Sequence, residues 1–183
     1  YEVFQVVNEE KIPCWPGPMT VEEYWNGTCK PENLHISSSW CYGNAGVMRG
    51  LQKVAGYMGW KEKEQAHVET MIRFFSQNIK TYDLYSPSLC HGFSSLVAIQ
   101  MCAYSSYRNP KLLTNLERHI QKMIAGYRKN NENELNLTDI RNKSILIEGH
   151  LNDLSILTGS VGIAITLLSL KRTTKTGKLL MID

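Results

Sequence analysis

Three residues of this chain could together bind a metal ion: Cys41, Cys90 and His91. They lie in the runs Trp-Cys-Tyr-Gly (40–43) and Leu-Cys-His-Gly (89–92), each just ahead of an apolar stretch. Two thiols and an imidazole supply three of the four ligands of a tetrahedral zinc site, and three protein ligands leave one position for water or substrate. No short C-x-x-C or H-E-x-x-H motif is present, so from spacing alone a shared site and unrelated side chains remain equal alternatives.

The other polar candidates are weaker. Cys102 lies inside an apolar stretch, which is typical of a buried cysteine that acts as a small hydrophobic residue. His119 and His67 lie among charged residues on amphipathic stretches, so we expect both on solvated faces. Tyr42, next to a candidate ligand, could hydrogen-bond near a metal or simply pack. Two further histidines lie in loops from which either could reach a site: His35 and His150.

The elements that must position these residues are helices. After a loop-rich segment with one short helix near 20–25, apolar residues recur at helical spacing. The predicted helices run over about 47–58, 62–79, 91–104, 109–127 and 159–170. Asn109-Pro110 is the start signal of the fourth. Residues 129–144 are polar and predict a long loop. The pattern indicates three cycles, in which a buried inner helix comes first and an amphipathic outer helix follows.

The three cycles begin alike. Gly-x-x-Gly (43–46), Gly-x-x-Ser (92–95) and Gly-x-x-Gly (159–162) each precede an apolar helix, and small residues three apart let neighbouring backbones approach closely. Internal repeats of this kind are typical of a solenoid or a closed ring of helical hairpins. We therefore predict an all-α fold with one domain over 1–183, loop-rich over 1–40 and built of helical hairpins over 41–183. The inner helix starts would converge where Cys41, Cys90 and His91 lie.

Composition excludes several classes. With 183 residues and 43% hydrophobic residues, the chain can form one core. Its net charge is +3 and its basic residues are scattered, so we expect no nucleic-acid partner. The longest apolar stretch, 161–170, is too short for a bilayer, which predicts no transmembrane segment. Five unpatterned cysteines favour a reducing cytoplasm, and a start without Met or signal peptide suggests a cut inside a longer chain.

Three motifs together resemble the C-terminal half of lanthionine synthetase C, the lantibiotic cyclase family: Ser-Trp-Cys-Tyr-Gly (39–43), Leu-Cys-His-Gly (89–92) and Leu-x-Gly-x-x-Gly-Ile (157–163). The resemblance runs from about Trp15 to Asp183 and is greater to the free-standing cyclases of nisin or subtilin type. It implies an α/α toroid of hairpins with zinc bound by Cys41, Cys90 and His91. The implied reaction adds peptide cysteine thiolates to dehydroalanine or dehydrobutyrine and forms thioether rings.

The same resemblance implies a set of partners. They are a dehydrated precursor peptide, a lanthipeptide dehydratase and a transporter, in a cytoplasmic synthetase complex that sits peripherally at the inner membrane face. The family's histidine acid and its aspartate partner belong to an N-terminal half of the toroid, and no residue here matches them. We therefore expect a cyclase portion that is slow by itself.

The chain departs from the family pattern in two places. Ala45 stands where the family has proline, and Phe-Ser-Ser (93–95) follows Cys-His-Gly where a small residue and glycine are typical. Both changes leave the three candidate ligands intact and bear on loop shape and substrate fit. Two alternatives to the cyclase remain: a non-catalytic, zinc-stabilised helical module that binds a peptide or partner enzyme, and a metal-free helical scaffold whose cysteines belong to the core.

Overall fold

The computed structural model describes residues 4–8, 10–17, 19–30, 37–129, 154–171 and 180. Six α-helices are present in these parts: α1 (Val21–Asn26), α2 (Asn44–Tyr57), α3 (Lys61–Phe75), α4 (Phe93–Tyr107), α5 (Leu116–Lys129) and α6 (Ser160–Lys171). Two short 3-10 helices cover Ile79–Tyr82 and Pro110–Leu113. The predicted all-α class is confirmed, and the bulk of the core lies between α2, α3, α4 and α5.

The first segment contains a small hairpin that the sequence did not predict. Strands β1 (Val6–Val7) and β2 (Pro13–Cys14) pair antiparallel. The predicted short helix is α1, which begins at a capping box: the Thr20 hydroxyl accepts from the Glu23 amide, and the Glu23 carboxylate accepts from the Thr20 amide. Beyond β2, the buried Trp15 donates its amide hydrogen to Asn44 Oδ1 at 2.6 Å. This bond fastens the first segment to the start of α2.

The inner helices differ in how deeply they are buried. Every residue of α4 from Phe93 to Gln100 is buried, as expected for an inner helix. Helix α2 instead buries one face and leaves Val54 and Tyr57 exposed. Its buried face carries a polar group that reaches a neighbouring helix: Arg49 donates to Ser106 Oγ of α4 at 3.0 Å. Hydrogen bonds therefore join α2 to α4 as well as apolar contacts.

Helix α5 begins later than Asn109-Pro110 predicts. Asn109 caps only the 3-10 turn Pro110–Leu113, and the chain then turns through Asn115, whose φ is 60°. The cause is a buried amide: Gln100 Nε2 donates to the carbonyls of Leu112 and Thr114, both at 2.9 Å. These carbonyls are thus bonded to α4 instead of continuing a helix, and α5 starts at Leu116.

The prediction that His119 lies on a solvated face is wrong. His119 is fully buried, with Nδ1 2.7 Å from Gln100 Oε1 and its ring 5.0 Å from the Tyr82 ring, edge to face. The sequence did hold a sign of this, because His119 stands four residues before the buried Met123 and so shares its helix face. The second histidine expected on a solvated face, His67, is half-buried on α3.

Burial of His119 should make the stability of the protein fall in acid. Burial first, and the nearby charge of Arg118 second, lower the pKa of His119 to about 4 from an ordinary value near 6.5. The unfolded chain takes up a proton as the pH falls below about 6.5, whereas the folded chain does so only near 4. The free energy of unfolding should therefore fall by about 2 kcal/mol between pH 7 and 5 on account of this residue. Urea unfolding at both pH values checks this, with His119→Leu as the comparison. An equal pH dependence in the two proteins would contradict it.

Candidate metal centre

The two runs that carry the candidate ligands meet where α2 and α4 begin. Cys41 precedes α2, and Cys90 and His91 precede α4; one donor atom from each lies within 4.8 Å of the others. Cys90 Sγ is 3.8 Å from His91 Nε2. Cys90 is buried, while Cys41 and His91 are half-buried. Within the described ranges this is the one group of three or more histidine, cysteine and acidic side chains arranged so that it could hold a metal ion.

Glycines allow each donor run to fold back onto the helix that follows it. A Cβ atom on Gly43 would lie 2.1 Å from the amide nitrogen of Ser39, and one on Gly46 would lie 1.9 Å from the carbonyl oxygen of Trp40. A Cβ atom on Gly92 would lie 2.1 Å from the carbonyl oxygen of Ser86. The small residues at the repeat starts thus do permit close backbone approach. In these cases the approaching backbone is the run just before the helix, not a neighbouring helix.

The third repeat start lies against the second. Gly162 of α6 has the same relation to its own preceding run, since a Cβ there would lie 1.9 Å from the Ile156 carbonyl oxygen. The same atom would lie 2.9 Å from the Cβ of Leu89, which precedes Cys90 in the chain. The amide of Cys90 donates to the carbonyl of Leu157 at 2.8 Å. The backbone of one thiol-bearing residue is therefore held by the third repeat.

Serine side chains hold the two donor runs in shape. Ser39 is buried, and its Oγ lies 3.9 Å from Cys41 Sγ and 3.1 Å from Ser37 Oγ. In the second run, Ser88 Oγ accepts from the amide of His91 at 3.4 Å, and the amide of Ser88 donates to Ser86 Oγ at 3.0 Å. The motifs did not predict a role for these serines, although the serines cluster just before both motifs in the sequence.

The C-terminal part of the chain also contacts the first donor run. Trp40, directly before Cys41, donates its indole N–H to the carbonyl oxygen of Leu180 at 3.1 Å. Leu180 is itself buried. Residues near both ends of the chain thus pack around the candidate centre, since Trp15 is bonded to the start of α2.

The charge state of Cys41 suits metal binding. A hydrogen bond from Cys90 has the largest effect and lowers the pKa of the Cys41 thiol; burial opposes it, and His91 and Ser39 lower the pKa further. The net result lowers the pKa of Cys41 to about 4, far below the ordinary value for cysteine, which favours the thiolate form of this residue. Thiolate is the form that ligates metals.

The donor set fits zinc in type and in spacing. Tetrahedral zinc with bonds of about 2.3 Å to sulfur and 2.0–2.1 Å to nitrogen needs donors ~3.5–3.8 Å apart. The separation of 3.8 Å between Cys90 Sγ and His91 Nε2 meets this, and the limit of 4.8 Å for the whole group requires only small side-chain movements. Two soft thiols with an imidazole favour zinc over magnesium or calcium, which prefer oxygen ligands.

The remaining sequence candidates lie elsewhere or at the edge of this group. Tyr42 is largely exposed, and its ring centroid is 6.3 Å from that of His91. Cys102 packs against the core but is half-buried, not fully buried as the sequence predicts. Buried His119 belongs to the contact between α4 and α5. Cys14 is buried in the hairpin, and His35 and His150 lie outside the described residues.

The fold and the site together define a class: an all-α protein in which helix starts gather two thiols and an imidazole. The sequence model of the lanthionine synthetase C-like protein family matches residues 7–181, and the chain belongs to this family. The resemblance inferred from the motifs is thereby confirmed. No curated protein sequence gives a significant match. In the part of the chain that the structure describes, no helix has the length and apolar character needed to cross a bilayer.

Gly46→Ala should destabilise the protein because its Cβ would meet the Trp40 carbonyl oxygen. We expect a loss of about 3 kcal/mol in the free energy of unfolding, since rigid backbone must move. Gly50→Ala is a matched control in the same helix, because no atom lies within 4 Å of its added Cβ. The control should be neutral or gain about 0.5–1 kcal/mol from helix propensity. Urea unfolding measures both variants, and similar values for the two would refute the close-approach argument.

Zinc content should depend on the candidate ligands and not on the other cysteines. We expect about one zinc per chain by elemental analysis, in line with a single three-donor group. Cys41→Ala and Cys90→Ala should abolish it, because two protein donors bind weakly, while Cys102→Ala should keep it. Full zinc content in both ligand variants would show that the metal binds elsewhere.

Proposed function

We propose that this chain forms the thiol-activating part of a zinc-dependent lanthipeptide cyclase. The proposed reaction joins cysteine thiols of a peptide to dehydroalanine or dehydrobutyrine residues of the same peptide and makes thioether rings. The observation that carries the proposal is the meeting of two thiols and one imidazole within 4.8 Å in a member of the lanthionine synthetase C-like family. A group of three donors leaves room for a substrate sulfur as the fourth.

Cys41, Cys90 and His91 would hold the metal. Zn²⁺ bound there would supply a Lewis acid that converts a substrate thiol to a thiolate at neutral pH. Ser39 and Ser88 orient the donor runs through the hydrogen bonds described above. Cys41 and His91 are only half-buried, so a peptide can approach the group from their side.

The reaction needs no oxidant. The substrate sulfur uses a lone pair to form a C–S bond to the β-carbon of the dehydroamino acid, and the double-bond electrons move towards the adjoining carbonyl as an enolate. The C–S bond closes the ring, a proton added at the α-carbon then completes the addition, and the thiol proton leaves to solvent or a base. The enolate's proton donor is not assigned to any residue of this chain; the family resemblance implies a histidine in the other half of a toroid.

Tyr42 is proposed as a positioning residue. It follows Cys41 directly, and its ring is tilted against that of His91 with centroids 6.3 Å apart. Such a ring restricts the directions in which the imidazole can turn. The phenol is largely exposed, so its hydroxyl is open to substrate.

The family resemblance supplies the wider setting of this proposal. The chain forms one domain over 1–183, loop-rich over 1–40 and helical over 41–183, within an α/α toroid of hairpins. Its substrate is a dehydrated precursor peptide, and its partners are a dehydratase and a transporter in a cytoplasmic complex at the inner membrane face.

An open metal position separates a cyclase from a structural zinc module. Cobalt(II) in place of zinc should show a stronger sulfur-to-metal absorption band when a cysteine peptide is added, because the peptide thiol becomes the third sulfur ligand. The same peptide with serine should leave the spectrum unchanged. Tyr42→Phe keeps the ring and should keep the response, whereas Tyr42→Ala should weaken it.

The catalytic step is measured with a peptide that holds one dehydroalanine and one cysteine. The zinc-loaded chain should speed the loss of free thiol at constant peptide mass, while Cys90→Ala should not, and Cys102→Ala serves as the control for loss of a cysteine. A cobalt spectrum that does not respond to thiol would overturn the cyclase and favour the non-catalytic, zinc-stabilised module.

A further inference from the structure

The third repeat places a leucine where the first two place thiols. Helices α2, α4 and α6 each begin directly after a glycine, at positions 43, 92 and 159. Cys41 and Cys90 stand two residues before the first two of these glycines, and Leu157 stands two residues before the third. The repeat therefore presents an apolar side chain at the position that elsewhere carries sulfur.

Leu157 is a neighbour of the metal group and not merely its counterpart in the repeat. The amide of Cys90 donates to the Leu157 carbonyl oxygen at 2.8 Å, which keeps the two residues in adjacent positions. The start of α6 is pressed against Leu89 as well, because a Cβ on Gly162 would lie 2.9 Å from the Leu89 Cβ. The hydrogen bond thus holds Leu157 beside Cys90, and the contact with Leu89 holds the start of α6 against the same donor run.

Apolar side chains around this point are open to solvent. Leu157 is 42% exposed, Ile156 is 38% exposed, and Tyr42, which follows Cys41 in the chain, is 69% exposed. We call these three residues the apolar rim. Exposed apolar surface next to a reactive group is typical of a binding site for an apolar ligand. None of the three rim side chains is ionised, so the rim does not favour a charged ligand.

We propose that the apolar rim binds an apolar side chain next to the reacting cysteine of the peptide substrate, with Leu157 as the main specificity-determining residue. This inference rests on the proposed function. The occupant follows from chain geometry: successive residues of an extended peptide are about 3.3–3.6 Å apart, so a peptide whose thiol reaches the metal group must lay its adjoining residues over the surroundings of that group. Those surroundings include the rim.

Binding of short fluorescent peptides to the zinc-loaded chain tests the proposal without relying on turnover. One peptide has leucine on both sides of a cysteine, a second has glycine there, and each has a version with serine in place of cysteine. Fluorescence anisotropy gives the dissociation constants. The leucine peptide should bind roughly threefold to tenfold more tightly than the glycine peptide, because its apolar side chains are removed from water when they contact the rim.

A pair of leucine variants locates the effect. Leu157→Ser should remove the preference for the leucine peptide and leave the glycine peptide's affinity unchanged. Leu168→Ser is the matched control, since Leu168 is 61% exposed on α6, the helix that follows Leu157, but lies two turns beyond the start of that helix. This control should retain the preference. Both side chains are partly or largely exposed, so neither change should prevent folding.

The outcomes separate this inference from the function it rests on. If Leu157→Ser abolishes the preference for leucine, the rim is supported. If the serine peptides also show this preference and bind as tightly as the cysteine peptides, the metal–thiol role is overturned. Tighter binding of cysteine over serine without any preference for leucine keeps the thiol role and overturns the rim. Absence of binding by every peptide overturns the rim too, as does a dimer of the chain that Leu157→Ser dissociates, because a second copy would then cover this surface.

Discussion

The close approach of each inner helix to the chain just before it is the constraint on which the candidate site depends. At Gly46 and at Gly162 the backbone six residues earlier passes so near that a Cβ atom would overlap its carbonyl oxygen. The same holds at Gly92. Because a donor run folded this tightly has few conformations, its cysteine is delivered to a fixed place relative to the helix. Packing of the helices then brings the separate runs together.

Hydrogen bonds carry this local order from one repeat to the next. The amide of Cys90 is satisfied by the Leu157 carbonyl of the third repeat, and the indole of Trp40 by the carbonyl of Leu180. The first segment is joined through Trp15 and Asn44. Buried backbone and side-chain polar groups need partners, so these bonds favour one arrangement of the runs over the alternatives that apolar packing alone would permit.

The asymmetry of the three repeats gives the site its chemical character. Two repeats contribute soft metal donors, and the third contributes apolar side chains at the equivalent position. In a cyclase, sulfur activation and recognition of the peptide around the reacting cysteine have to occur at the same place. Similar helix starts that lie close together would offer such a place, because one backbone arrangement can present different side chains in each repeat.

The sequence by itself determined the class of the fold, most of the helix positions and the family, because apolar periodicity and short motifs are local properties. Helix α2 and the start of α4 lie close to where the pattern predicts them, and the three motifs indicated the family that the comparison confirmed. Only the tertiary structure decided that His119 pairs with Gln100, since a partner on another helix is not visible in a helix's own pattern. It also decided the delayed start of α5 and the distances of at most 4.8 Å among Cys41, Cys90 and His91, because both arise from packing between elements far apart in the chain.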